Sequence, residues 1–173
     1  MIRKFILLAS ALALGACANP GTPTGPRATA QLQSTTANTA TGSVTFVQTG
    51  NKVVVSGLMS GLKPNAEHGF HLHEKGDCSS GDGMSTGGHF NPDGQPHGKH
   101  AGMAHHAGDL PSLRADASGA AKFSFESTRI SVGSGAANIL GRGLIVHRDP
   151  DDYTTQPTGN SGPRLACAVV TPS

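Results

Sequence analysis

Eight of the nine histidines fall between residues 68 and 106, and Asp109 closes the same stretch. A lone buried histidine is usually a satisfied core residue. Eight of them with an aspartate and many glycines point instead to a metal site, because neutral imidazole is the commonest metal ligand. A solvated, low-complexity histidine loop is the alternative, and the spacings argue against it. The ninth, His147, stands well downstream.

Alternation supplies the scaffold. Gly69 to Glu74 reads GFHLHE. In a strand, residues two apart share a face, so His71 and His73 point one way and Phe70 and Leu72 the other. The apolar pair anchors in a core while both imidazoles face a common metal. SVTFVQ (residues 43–48) and KVVVSGL (52–58), joined by the turn TGN, predict a hairpin. KFSFE (122–126) predicts a strand with Phe123 and Phe125 on one face, and Ile130 a short linking strand. GLIVH (143–147) delivers His147 at a strand end, and RLACAVV (164–170) closes the domain. Between residues 75 and 111 periodicity is lost among glycines and prolines, a length that a compact domain tolerates when the loop is functional. A second loop runs over 148–163. No segment has a convincing helical period. About eight short strands and two long loops predict an all-β domain, an antiparallel sandwich or Greek-key barrel.

The ends carry other signals. Arg3 and Lys4 precede an apolar run from Phe5 to Leu14, a secretory signal too short to span a bilayer. It ends in Leu14-Gly15-Ala16-Cys17, which resembles a bacterial lipobox. Residues 1–16 read as a leader removed before a lipidated Cys17, and ordinary signal cleavage nearby is the alternative. Ala18 follows, so no aspartate at that place argues for retention in the inner membrane. The expected location is the periplasm, anchored to the outer membrane. Residues 17–40 read as a flexible tether and 41–173 as the folded domain. Removing the leader lowers Lys plus Arg from 13 to 11, against 11 Asp plus Glu. A formally neutral chain gives no reason to expect nucleic acid, and any attraction for a charged substrate must be local. Cys78 and Cys167 then remain as an even pair in an oxidising compartment, which predicts a disulfide rather than free thiols or thiolate ligands. Closing a loop of about 90 residues contributes roughly 4–5 kcal/mol in the chain-entropy model.

GFHLHE, GGHFNP, HAGDL, the pair Val146-His147 and GNSGPRLAC occur in this order. Together they resemble copper/zinc superoxide dismutase of the bacterial periplasmic kind, over roughly residues 42–171. The resemblance implies an immunoglobulin-like Greek-key fold, one copper and one zinc ion, and superoxide as substrate. It assigns copper to His71, His73, His89 and His147, and zinc to His89, His97, His106 and Asp109, with His89 bridging. Four nitrogens suit Cu(II), and three nitrogens with a carboxylate suit tetrahedral Zn(II). His68 corresponds to a brace behind the copper strand. Asp151 corresponds to an aspartate that accepts hydrogen bonds from His71 and His97, with Asp152 the competing candidate. His105 competes with His106 for zinc, and the spacing to Asp109 favours His106. His100 has no counterpart. Arg164 corresponds to the arginine beside the copper, whose fork of donors suits a small anion. The segment from His147 to Cys167 is shorter than in the eukaryotic enzymes, so their charged steering residues are absent. Lys75 and Lys99 are the candidates to replace that field. Bacterial relatives are often homodimers, and no patch for that is visible in the residues.

Two rival functions use the same domain. An exported metal-binding lipoprotein that buffers or delivers copper and zinc needs the same ligands, but not Arg164 or the bridging place of His89. An adhesion-type sandwich leaves the histidines without a purpose.

Overall fold

Three strands in succession start the domain: β1 (Arg27–Ser34), β2 (Thr41–Thr49) and β3 (Lys52–Ser60). The computed structural model describes residues 25–173, so the expected leader at 1–16 and the lipidation site Cys17 lie outside the described residues. β2 and β3 form the expected hairpin, in register from Thr41↔Ser60 to Thr49↔Lys52. Val44 and Phe46 on β2 and Val53 and Val55 on β3 bury their side chains inward. The remaining elements are β4 (Glu67–His68), β5 (Phe70–His73), β6 (Leu113–Arg114), β7 (Ala121–Ser127), β8 (Gly143–His147), β9 (Arg164–Val169) and β10 (Thr171–Pro172). One turn of 3-10 helix, Met84–Thr86, is the only helix among the described residues.

The main sheet runs β5-β8-β9-β1-β2-β3-β7, with β10 paired to β1 and β4-β6 as a separate ribbon. From β3 the chain crosses to the far edge for β5, returns to β7, and crosses again to β8, the connections of a Greek key. The sheet curls until its two edges meet through side chains: Phe70 of β5 packs edge-to-face on Phe123 of β7, centroids 5.4 Å apart. Phe46, Phe70, Leu72, Leu144, Val146 and Ile139, all fully buried, fill the interior.

The tether expected over 17–40 is corrected by β1. Arg27–Ser34 is a strand between β2 and β9, with Thr29 opposite Thr45 and Gln33 opposite Cys167. Ala28, Ala30 and Leu32 sit in the core, so the domain begins well before residue 41. The period-two pattern ATAQL was present but weak: alanine has low strand propensity and buries little area, so the segment forms only with partners on both sides. Ile130 is buried but lies in a turn-rich segment rather than a strand, where Ser131 makes one isolated bridge to Asn138.

Candidate metal centre

β5 and β8 pair side by side, His71 opposite Ile145 and His73 opposite Gly143. Phe70, Leu72, Leu144 and Val146 take the inner face. His71, His73, Ile145 and His147 therefore share the outer face, and the loop over 74–112 covers it. A bulge between Val146 and His147 interrupts the pairing with β9 and aims His147 at the centre. The loop returns over β5 through two isolated bridges, His73↔His89 and His71↔Asp109. Strand and loop candidate ligands are thus locked into one register.

Two groups of ligand atoms converge, each within 4.8 Å: His71, His73, His89 and His147, and His89, His97, His106 and Asp109. All are buried. The hydrogen bonds on the far side of each ring decide which nitrogen is bare. A carbonyl or carboxylate oxygen only accepts, so the ring nitrogen facing it carries the proton. His73 Nδ1 donates to Gly87 O (2.9 Å) and His147 Nδ1 to Gly162 O (3.0 Å). His71 Nε2 donates to Asp151 Oδ2 (2.7 Å) and His97 Nε2 to Asp151 Oδ1 (2.8 Å). That leaves His71 Nδ1, His73 Nε2, His89 Nε2, His147 Nε2 and His97 Nδ1 buried with no hydrogen-bond partner among the described residues. Such orphans are costly in an interior. Four of them converge in the first group, a donor set of four nitrogens that fits copper.

The second group fits zinc by its edges. Asp109 Oδ1 lies 2.8 Å from His89 Nδ1, 3.1 Å from His97 Nδ1 and 3.2 Å from His106 Nδ1. His89 Nδ1 lies 3.4 Å from His106 Nδ1. A tetrahedron with zinc–nitrogen arms of about 2.0 Å has edges of about 3.3 Å. These short contacts are better read as edges around an ion than as hydrogen bonds. Asp109 Oδ2 is occupied separately, by the amides of Gly98 (3.0 Å) and His106 (2.9 Å), which fixes the carboxylate.

Burial lowers the His89 imidazole to about 4 and His147 to about 3, and draws His73 well below its ordinary value. At neutral pH these rings are uncharged and able to ligate. His97 behaves oppositely: burial disfavours its charge, but Asp109 and Asp151 outweigh it and raise the ring to about 9. Burial works against the charge of Asp109 and Asp151 too, yet the rings of His106, His89 and His97 gathered around the first, and the hydrogen bonds from His71, His97 and the Tyr153 amide to the second, hold both carboxyls below the usual range.

The structure separates the competing candidates. Asp151 spans His71 and His97, whereas Asp152 is exposed and bonds the amides and hydroxyls of Thr154 and Thr155. Gly159, at φ +65, closes over this bridge, and a Cβ there would run into Asp151 Oδ1 and His97 Nε2. His106 enters the second group, while His105 turns its Nδ1 to the His106 carbonyl (2.7 Å). His100 belongs to neither group; its nitrogens face the carbonyls of Asp109 and Glu126. His68 Nδ1 donates to His147 O at 2.9 Å, bracing the end of β8. Lys99 lies over the Tyr153 ring, 5.8 Å from its centroid. Neither Lys99 nor Lys75 lines the cleft that reaches His73, His89 and His147, a space of about 250 Å³ that also exposes Met84 and Arg164.

Arg164 opens β9 at the edge of that cleft. Nη1 donates to Gly83 O (2.7 Å) and Thr86 Oγ1 (2.7 Å), and Nη2 to Gly87 O (2.9 Å). Partial burial lowers its pKa, opposed by the Asp82 carboxylate. The Cys78–Cys167 disulfide, Cα atoms 5.9 Å apart, ties the start of this loop to β9 three residues past Arg164. Sequence reasoning missed Thr86 and the carbonyls of Gly83, Gly87 and Gly162. Backbone acceptors have no side-chain signature, and the one usable signal was the glycine density of residues 81–88.

A Greek-key barrel carrying two adjacent nitrogen-rich sites on its outer face defines a class of two-metal β-proteins. Residues 40–170 match the family described as copper/zinc superoxide dismutase (SODC). The chain is 44% identical over 135 residues to a superoxide dismutase [Cu-Zn] of Paramecium bursaria Chlorella virus 1, covering 75% of this chain and 71% of the relative. It is 43% identical over 136 residues to superoxide dismutase [Cu-Zn] 2 of Brassica juncea, covering 75% and 88%, and 37% identical over 133 residues to superoxide dismutase [Cu-Zn] 2 of Aquifex aeolicus, covering 75% and 78%. A crystal structure of the clock protein EA4 superimposes with a TM-score of 0.77 at 39% identity, over 88% of this chain and 98% of that one. The chain belongs to the copper/zinc superoxide dismutase family, and it is a superoxide dismutase that uses copper and zinc.

Proposed function

We propose that His71, His73, His89 and His147 hold copper, that His89, His97, His106 and Asp109 hold zinc, and that Arg164 receives superoxide at the cleft. The supporting observation is the set of four bare ring nitrogens buried around one point, with the rings of His71, His73 and His147 held from behind by a carbonyl or carboxylate. Copper supplies the one-electron exchange when bound. The chain supplies the rest. The positive guanidinium of Arg164 draws the anion in and orients it by donating hydrogen bonds. With copper bound and supplying the electron exchange, His89 Nε2, on the cleft side of its ring, would hold one proton between the two half-reactions: the first superoxide gives up an electron and leaves as dioxygen, and the second takes an electron, the proton from His89 and a further proton from solvent, and leaves as hydrogen peroxide. Asp151 holds His71 and His97 in the tautomers that leave Nδ1 bare in both, which couples the two sites. The loop buries the histidines and leaves a cleft of about 250 Å³ beside Arg164 as the approach to His73, His89 and His147.

In the same reading the protein is an exported lipoprotein, anchored through Cys17 on the periplasmic side of the outer membrane, and removes superoxide outside the cytoplasm. The disulfide supports an oxidising compartment. Labelled fatty acid should enter the wild-type chain and not Cys17→Ser.

The deciding experiment measures dismutation and metal content of the loaded protein beside Arg164→Ala. The variant should keep both metals and lose activity on the order of 10- to 100-fold. Full activity in Arg164→Ala would remove the anion-guiding role.

A further inference from the structure

A guanidinium carries five N–H donors in a rigid plane. Three of those on Arg164 are taken by a single turn of the loop. Both hydrogens of Nη1 are used, one on Gly83 O and one on Thr86 Oγ1, and one hydrogen of Nη2 goes to Gly87 O. Among the described residues no partner takes the other Nη2 hydrogen or the Nε–H, so these two remain for an anion. How the group faces the cleft is therefore set by what holds Nη1 and Nη2.

Of the three acceptors, Thr86 Oγ1 is the only side-chain atom. Its own hydroxyl hydrogen goes to Gly83 O at 2.9 Å, which turns its lone pairs towards Arg164. Arg164 Nη1, Thr86 Oγ1 and Gly83 O thus form a closed triangle of three hydrogen bonds. Thr86 is fully buried. Its methyl group presses on the backbone of Gly143 in β8, where a Cβ would lie 2.8 Å from Thr86 Cγ2, and its carbonyl accepts from the Lys75 amide at 3.0 Å. With the methyl wedged and both backbone neighbours held, the hydroxyl has one place to go. The turn is pinned further by Asp82 Oδ1, which accepts from the Met84 amide at 2.8 Å.

We propose that Thr86 is a positioning residue for the reaction: its hydroxyl fixes the rotation of the Arg164 guanidinium and so selects the donor edge that meets the incoming anion. This rests on the reading of Arg164 as the anion-binding group. Without the hydroxyl, Nη1 keeps only one acceptor, and the freed hydrogen competes for the anion in a second orientation. Affinity for a small anion at the copper then falls, although no group that touches the anion has changed.

The test uses the copper- and zinc-loaded protein with azide as the probe, read by the visible absorption of the copper. Azide affinity should fall roughly three- to tenfold in Thr86→Val, the effect expected when a charge-assisted bond is lost one step from the ligand. Thr86→Ser, which keeps the hydroxyl, should restore affinity to within about twofold of wild type. If Thr86→Val lowers metal content, Thr86→Ala gives the same comparison without an apolar methyl beside the guanidinium. On an Arg164→Ala background, Thr86→Val should add nothing. Unchanged azide affinity in Thr86→Val overturns the proposal, and so does an effect that persists without Arg164. Unchanged affinity in Arg164→Ala alone identifies a different failure, that of the anion-binding reading beneath it.

Discussion

The barrel has a wet half and a covered half. β2, β3 and β7 alternate between buried and accessible positions, with Ser43, Lys52, Ser124 and Glu126 among the residues that do not face the core. β5 and β8 are buried at every position. Both halves put aliphatic and aromatic side chains inside. The difference is on the outside, where loops over 74–112 and 148–163 roof β5 and β8. A polar side chain beneath such a roof costs free energy unless each of its polar atoms is satisfied. In the wet half water does this. In the covered half the clustered rings are left bare on the side that faces the centre, so five of the nine buried unpartnered side-chain atoms among the described residues are the ring nitrogens of His71, His73, His89, His97 and His147. A sheet face becomes a metal site when it is roofed and its polar groups are only half satisfied.

One pair of substitutions separates the halves most strongly. Phe46, wholly buried on β2, belongs to the wet half. Phe46→Ala should destabilise the protein by about 3–5 kcal/mol and leave two metals per folded chain. His147→Ala should remove copper, keep zinc, and lower dismutation by at least about 100-fold. Unfolding curves with metal analysis of the folded fraction read both. Copper retained in His147→Ala, or metal lost from folded Phe46→Ala, would break the division between scaffold and site.

The covered half should also dominate how the metal-free protein responds to pH. His89, His147 and His73 have folded pKa values below the ordinary 6.5, at about 4, about 3 and well below it. The unfolded chain therefore binds more protons in this window, and stability falls as pH drops from about 6.5 towards 3. His97 is raised to about 9 and has the reverse sign: its contribution is complete below 6.5 and is lost as pH rises through 9. Metal-free protein should be most stable between these slopes, near neutrality. A thermal midpoint measured at pH 4.5, 6.5 and 9 checks this, and a midpoint still rising between 6.5 and 9 would contradict the His97 assignment.

How much of this could be read from the residues follows the same division. GFHLHE showed which way His71 and His73 point because alternation is a local property. GLIVH placed His147 because a strand buried on both faces reads as a short apolar run. Cys78 and Cys167 were the two cysteines left after Cys17, so their pairing followed from arithmetic. The candidate loop ligands His89, His97, His106 and Asp109 became specific only through family resemblance, since no periodicity governs a loop. β1 was lost for the opposite reason: Ala28 and Ala30 keep the period but carry little hydrophobic signal, and their burial depends on β2, β9 and β10. The ribbon of β4 and β6 is two residues long on each side, too short for any pattern. Thr86 could not be found because its role depends on a hydrogen bond across 78 positions to Arg164.

The smallest effect tests the wet half on its own terms. Lys52 Nζ on β3 meets Glu126 Oε2 on β7 at 2.8 Å, with the side chains 36% and 54% exposed. Val54 is the residue opposite Glu126, so Lys52 reaches it diagonally on the outer face. Water screens both charges, and ordering two long side chains offsets part of the attraction. A double-mutant cycle with Lys52→Ala and Glu126→Ala should give a coupling of about 0.2–1 kcal/mol, vanishing in about 1 M salt. Metal content and dismutation should not change. The contrast with Asp151 is physical: its two carboxylate oxygens bond buried rings at similar distances, 2.7 and 2.8 Å, but without solvent to replace them. A Lys52–Glu126 coupling well above that range, or one insensitive to salt, would mean that something covers the outer face of β3 and β7 in solution and that the barrel is roofed on both sides.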